Sequence, residues 1–192
     1  MHLRSASVVS GLLVLTIAGQ ALALDAWRDR RGLLFGLGVG GGIGQAHVDG
    51  GDSESEVGFN FRARVGGGLN EKVTLDFDFG MHFQNEEREV LGGSVDLSTR
   101  LTSGMVAANY FVYDGLYVRG MGGMGHIKSE AEGKGGGGAS ASEAGLGVGF
   151  GAGYEFFANS DLAIGGGADY RYFFFDDAEF SLVGFGITAT WY

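Results

Sequence analysis

Residues 145–154, Gly145-Leu146-Gly147-Val148-Gly149-Phe150-Gly151-Ala152-Gly153-Tyr154, alternate without a break between an apolar side chain and no side chain at all. Strict period two places every apolar group on one face of an extended strand. The same alternation recurs along the chain. In 33–43, Leu33, Phe35, Leu37, Val39 and Ile43 alternate with Gly36, Gly38, Gly40 and Gly42. In 57–69, Val57, Phe59, Phe61, Ala63 and Val65 oppose Gly58, Asn60, Arg62, Arg64 and Gly66. In 73–83, Val73, Leu75, Phe77, Phe79, Met81 and Phe83 oppose Thr74, Asp76, Asp78, Gly80 and His82. Four more segments follow, near 95–113, 116–127, 162–172 and 183–191, which makes eight strands with 145–154. The strand near 95–113 is less clean, with Ser103 and Asn109 on an otherwise apolar face, and that at 116–127 is Gly- and Met-rich.

The 192 residues include 39 Gly but no Pro and no Cys. Without Pro and a three-residue period the glycines are not collagenous, and 12% aromatics argue against disorder. A formal charge of −10 argues against nucleic-acid partners. The missing Cys excludes disulfides, thiolate zinc sites, cysteine nucleophiles and lipid attachment at an N-terminal cysteine. Residues 1–23 read as a signal peptide: Arg4 provides a positive start, Val8 to Ala18 an apolar stretch, and Ala21-Leu22-Ala23 a small-x-small cleavage site. The apolar stretch is short of the roughly 20 residues a membrane helix needs. Past it, a closed barrel or a surface attachment is what remains for holding the chain in a bilayer.

Two features separate a membrane barrel from a soluble sandwich. Tight connections at Asn70-Glu71, Asp114-Gly115 and Ala158–Asp161 alternate with long ones at Ala46–Glu56, Gln84–Ser94 and Lys128–Glu143, while Phe175–Glu179 is shorter than that rule expects. Aromatics gather at the strand ends as interface girdles do: Trp27, Tyr110, Phe111, Tyr113, Phe156, Phe157, Trp191 and Tyr192 at the short-turn end, and Phe59, Phe83, Tyr172, Phe173, Phe174 and Phe180 toward the loops. The expected fold is all-β, an eight-stranded antiparallel up-and-down transmembrane β-barrel over 24–192, preceded by the cleavable signal. Asp114-Gly115 fits a two-residue type I′ turn. So narrow a barrel is just filled by side chains. The Gly faces therefore leave room for an inward polar network of Arg62, Arg64, Asp76, Asp78, His82, Asp96, Arg100, Arg119, Glu155, Asp169 and Arg171, since charges facing lipid are costly. A hairpin centred on Asn70 pairs residues whose numbers sum to 140, setting Arg62 opposite Asp78 and Arg64 opposite Asp76.

With these features the chain resembles the small outer-membrane barrels of Gram-negative bacteria, a group that includes OmpX, the OmpA membrane domain and the opacity-type surface proteins. The most family-like stretch runs from Ala107-Ala108-Asn109-Tyr110-Phe111 through Gly120-Met121-Gly122, an aromatic strand end, a tight turn and a Gly-rich strand. The C-terminus resembles the family's assembly signal, except that the apolar series runs through Trp191 and Tyr192 is one residue out of phase. The resemblance implies export to the outer membrane, handling by the barrel-assembly machinery, and contact with outer-membrane lipids and lipopolysaccharide. It also implies periplasmic short turns and extracellular long loops. One fold hosts many functions, so activity does not follow from it.

No motif points to a cofactor or a metal. Gly36-x-Gly38-x-x-Gly41 and Gly120-x-Gly122-x-x-Gly125 match a dinucleotide fingerprint, but no helix opens at either. Asp49, Asp52, Glu54 and Glu56, with Glu86, Glu87, Glu89, Glu130, Glu132, Glu143, Asp176, Asp177 and Glu179, make the loops acidic without calcium-loop spacing; a solvated acidic face accounts for them. His82 and His126 lie toward the loop end, where a lipid hydrolase would place Ser, His and an acid, yet no Ser has a recognisable partner spacing. The leading expectation is a non-enzymatic surface or envelope protein whose acidic loops meet an extracellular partner of unknown identity. A narrow pore for small solutes is the alternative, suggested by the all-Gly faces, with a lipid hydrolase behind it.

Because Ala21 and Ala23 occupy the positions before the cut, N-terminal sequencing of outer-membrane fractions should find Leu24 first. Retention of Met1 in that material would refute the signal.

Overall fold

In the computed structural model, which describes residues 30–48, 54–90, 93–133, 138–176 and 178–192, eight antiparallel strands close on themselves in chain order. They are β1 (Gly32–Val48), β2 (Glu54–Gly68), β3 (Val73–Val90), β4 (Gly93–Tyr113), β5 (Leu116–Gly133), β6 (Gly138–Phe157), β7 (Leu162–Phe174) and β8 (Ala178–Trp191). Closure comes from β8 pairing with β1, with Val39 opposite Ile187 and Phe35 opposite Trp191. Within the belt where all eight strands pair, closure leaves no free sheet edge among the described residues, as a sheet in hydrocarbon requires. The expected signal over 1–23, the residues from Leu24, and Trp27, Asp49, Asp52 and Asp177 lie outside the described residues. The side chains of Glu54, Glu87, Glu89, Asp96 and Glu132 do as well.

The outer surface is an apolar belt. Leu37, Val39, Phe77, Val106, Val118, Val148, Phe150, Val183 and Ile187 all point outward and are exposed. Trp191 continues this belt beside Phe35, ring centroids 6.0 Å apart, while Tyr192 turns back toward the inside. The terminal outward anchor is therefore Trp191.

Four expectations are corrected. The hairpin joining β2 to β3 sums to 142, placing Arg64 opposite Asp78, Arg62 opposite Gly80 and Gly66 opposite Asp76. The turn is the cause: Leu69 N donates to Val73 O at 2.9 Å, and the Asn70 side chain accepts from Lys72 N and Val73 N at 2.8 and 2.9 Å. An Asx turn of this kind spans more residues than a two-residue loop and moves the centre to Glu71. Asn159 repeats the device between β6 and β7. Asp114-Gly115 is the tighter connection, with φ 42° at Asp114 and a register shift between Phe111 and Tyr113.

The second correction concerns the loops, which are in large part strand. Pairing between β3 and β4 runs out to Val90 opposite Gly93, and between β5 and β6 to Glu132 opposite Gly138. Third, the apolar face of β4 is the lumen face: Leu101, Met105, Ala107 and Phe111 are buried, and Val106 and Tyr110 are exposed. Both faces of this strand are apolar, so polarity does not say which one meets lipid. Arg100 consequently lies on the outward side, its guanidinium 5.5 Å from the Phe83 ring. Fourth, Phe111, Phe157, Phe173 and Phe180, expected in the girdles, point inward and are buried.

Phe77, 49% exposed in the middle of the belt, tests it: Phe77→Arg should lose roughly 2–4 kcal/mol near a bilayer midplane. Ser129→Arg, on the exposed extension of β5, should stay within about 0.5 kcal/mol. Urea unfolding in liposomes measures both.

Candidate functional site: the filled lumen

Three tiers of side chains fill the interior. At the short-turn end Arg30 lies 3.8 Å above the Phe111 ring and donates from Nε to Glu155 Oε1 at 2.8 Å. The Tyr192 hydroxyl donates to the same oxygen at 2.8 Å, and the Tyr192 ring packs 5.6 Å from Phe157. A guanidinium over an aromatic face gains electrostatically once shielded from water. Arg30 precedes the first strand and was missed from the sequence. The signal that could have found it is Glu155, an inward acid with no cation at its level.

The middle tier is a chain of shared ion pairs. Asp76 accepts from Arg64 Nε and Nη2 at 3.2 and 3.0 Å, from Arg119 Nη2 at 2.8 Å and from Asn109 Nδ2 at 2.6 Å. Asp78 meets Arg119 Nη2 at 2.6 Å and Arg62 Nε at 3.3 Å. Asp169 accepts from Arg171 Nε at 2.6 Å and from Arg62 Nη2. The expected partners, Arg62 with Asp78 and Arg64 with Asp76, thus meet despite the corrected register. The shift by two preserves the inward face, and arginine reaches the diagonal neighbour. His82 belongs to this level: its Nδ1 donates to Asn60 Oδ1 at 2.6 Å, while Asn60 Nδ2 donates to Gly41 O at 2.7 Å. His126 points outward from β5 and takes no part.

Beside the charges and on toward the loop end lies an apolar plug of Leu101, Met105, Ala107, Met121, Phe173, Phe180 and Leu182, all buried, with Ala107 opposite Asp76 and Met105 opposite Asp78. Sequence reasoning assigned none of these to the lumen. The plug depends on glycines opposite it. A Cβ added at Gly125 or at Gly147 would come within 2.5 Å of the Phe173 ring, and one at Gly44 within 2.6 Å of the Phe180 ring. The Gly faces are therefore occupied by their neighbours' side chains. Beyond the plug an open vestibule of about 410 Å³ faces the loop end, between Gln84, Leu97, Ile127 and Phe180.

Chemically the lumen locks charges in place. Asp76, Asp78 and Asp169 each serve two arginines, and the His82 ring is engaged with an amide beneath Phe180, 6.5 Å away. Among the described residues no group of His, Asp or Glu is arranged to hold a metal ion.

Asp76 accepts from two arginines and an amide, whereas Arg64 pairs, among the described residues, with Asp76 alone. Asp76→Ala should therefore cost on the order of 3–5 kcal/mol, and more than Arg64→Ala. The double variant should cost less than the sum, because Arg64→Ala removes one of the cations that Asp76→Ala strands. Heat-modified gel mobility against urea reads all three, and strict additivity would refute the coupling.

The family model described as the outer membrane protein beta-barrel domain matches residues 10–191. No curated protein matches the chain. Among solved structures, Ail, the attachment invasion locus protein of Yersinia pestis, in complex with the heparin analogue sucrose octasulfate, is similar with a TM-score of 0.62 and 20% identity, over 83% of this chain and 99% of that one. A second structure of Ail gives 0.61 and 19%, over 82% and 98%. Neisserial surface protein A gives 0.49 and 12%, over 82% and 97%. At these identities the likeness to Ail carries the fold alone. The family match covers nearly the whole chain, so this protein belongs to the outer-membrane β-barrel family and resides in the outer membrane.

Proposed function

We infer that the protein is a closed, non-enzymatic barrel that acts through the hairpins at its loop end, turned to the cell exterior with the short turns in the periplasm. The observation that carries this reading is the filled lumen. A water path would have to pass both the Arg–Asp tier and the plug, in which Met105 and Phe173 are fully buried. The glycines that suggested a pore hold side chains of the plug and the polar tier. A hydrolase loses its best base, because His82 is buried and hydrogen-bonded to Asn60 rather than to a hydroxyl.

What remains for function is the hairpins. Over 46–56, 84–100, 128–143 and 176–179 the sequence holds fourteen carboxylates against four Lys or Arg, an excess equal to the chain's whole formal charge of −10. Ail was crystallised with a polysulfated ligand, but such a polyanion would be repelled by these hairpins. A partner with a cationic face, or one bridged by divalent cations, fits instead. The belt is the surface for outer-membrane lipid and lipopolysaccharide, and Trp191 is the residue the assembly machinery would read.

In planar bilayers the purified protein should leave the membrane silent, and reproducible single-channel steps would overturn the closed reading. Mass spectrometry after incubation with lipopolysaccharide or phospholipid should find no released acyl chains. An epitope inserted between Gly133 and Gly138 should be labelled by antibody on intact cells; labelling only after permeabilisation would reverse the orientation.

A further inference from the structure

The middle tier carries unequal charge. Arg62, Arg64, Arg119 and Arg171 stand against Asp76, Asp78 and Asp169, four cations to three carboxylates. Glu155, the acid below this tier, is engaged with Arg30 and the Tyr192 hydroxyl. Arginine does not shed its proton in proteins, so the excess cannot be relieved by titration at that residue. An uncompensated charge away from water is unfavourable unless something pairs with it.

The excess gathers at Arg119. Its Nη2 alone reaches both Asp76 and Asp78, at 2.8 and 2.6 Å. Its Nε and Nη1 are buried with no hydrogen-bond partner among the described residues, and the residue is 5% exposed. Arg119 borders a cavity of about 40 Å³ together with Asn60, Arg62, Tyr117, Asp169 and Arg171. A water needs roughly 10–15 Å³ measured in this way. The space suits one small ion with a water or two. Three of the six named side chains at this cavity are arginines, so its field favours an anion.

We propose that the lumen binds one halide-sized monovalent anion beside Arg119, which satisfies its free donors and neutralises the fourth cation. The competing occupant is water alone, bridging Arg119 to Asp78 Oδ1, which is also buried without a partner among the described residues. Water would satisfy the donors but leave the charge, and the two occupants differ in what an experiment sees.

The protein purified from outer membranes is crystallised from bromide, and unfolding midpoints are read by heat-modified mobility in bromide, chloride and gluconate at equal ionic strength. The expected result is an anomalous peak within hydrogen-bonding reach of Arg119 Nε or Nη1, with midpoints several degrees higher in the halides than in gluconate. Arg119→Gln leaves three cations to three carboxylates and should lose the halide dependence, whereas Arg100→Gln, on the outward face, should keep it. Should Arg119→Gln fail to fold, the bromide peak in the unaltered protein decides alone. A lumen without a peak, or peaks on the outer surface only, overturns the proposal in favour of water; so do equal midpoints in bromide and gluconate.

Discussion

An eight-stranded barrel encloses so little space that a large inward side chain is possible only where its neighbours turn no side chain toward it. That constraint explains why Gly is so abundant here and where it falls. A Cβ at Gly80 would come within 2.6 Å of Arg171 Nη1, and one at Gly58 within 2.5 Å of the His82 ring. Each large inward group therefore occupies volume that a glycine elsewhere gives up, and the tiers are the sum of those exchanges. Substituting one of these glycines overfills a packed interior, which is destabilising even when the new residue is apolar.

Period two made the strands, their number and the aliphatic belt legible from sequence, because a half-buried strand cannot hide its alternation. It did not reveal which face of β4 turns inward, because both are apolar: Val106 and Tyr110 meet the outside while Leu101, Met105 and Phe111 fill the inside. Arg100 was misplaced for that reason. Phe173 and Phe180 look like girdle residues because they sit at a strand end, yet parity alone puts Phe173 on the same face as Asp169 and Arg171. The hairpin extensions escaped notice because short and polar residues such as Ala139-Ser140-Ala141-Ser142 weaken the apolar contrast without breaking backbone pairing. Register was out by two because a one-residue difference in the centre of a turn moves every partner by two, and only the side chain of Asn70 records which turn forms.

The ion-pair tier does not owe its place to raw stability. Buried pairs often do no better than apolar groups of the same shape, and their firmer contribution is to penalise the alternatives. Here β2, β3, β5 and β7 each contribute charges that must meet, so a slip of one residue between any two of them would turn arginines or aspartates toward lipid. The apolar plug sets no such condition on register, because its side chains would meet lipid at little cost. Together they divide the work between register and closure.

The strands are of unequal length, and the difference falls at one end. All begin or end together near the tight turns, yet β4 has 21 residues and β6 has 20, against 13 in β7 and 14 in β8. Crossing the hydrocarbon takes roughly 9–11 residues, so β7 and β8 finish soon after leaving it. The seven residues by which β6 exceeds β7 add roughly 23 Å of strand. The rim is a parapet, high along β3 to β6 and cut down at β7 and β8. Any large molecule approaching the barrel mouth meets a backrest on one flank and a doorway on the other, and the direction of approach is set by backbone length before any side chain is touched.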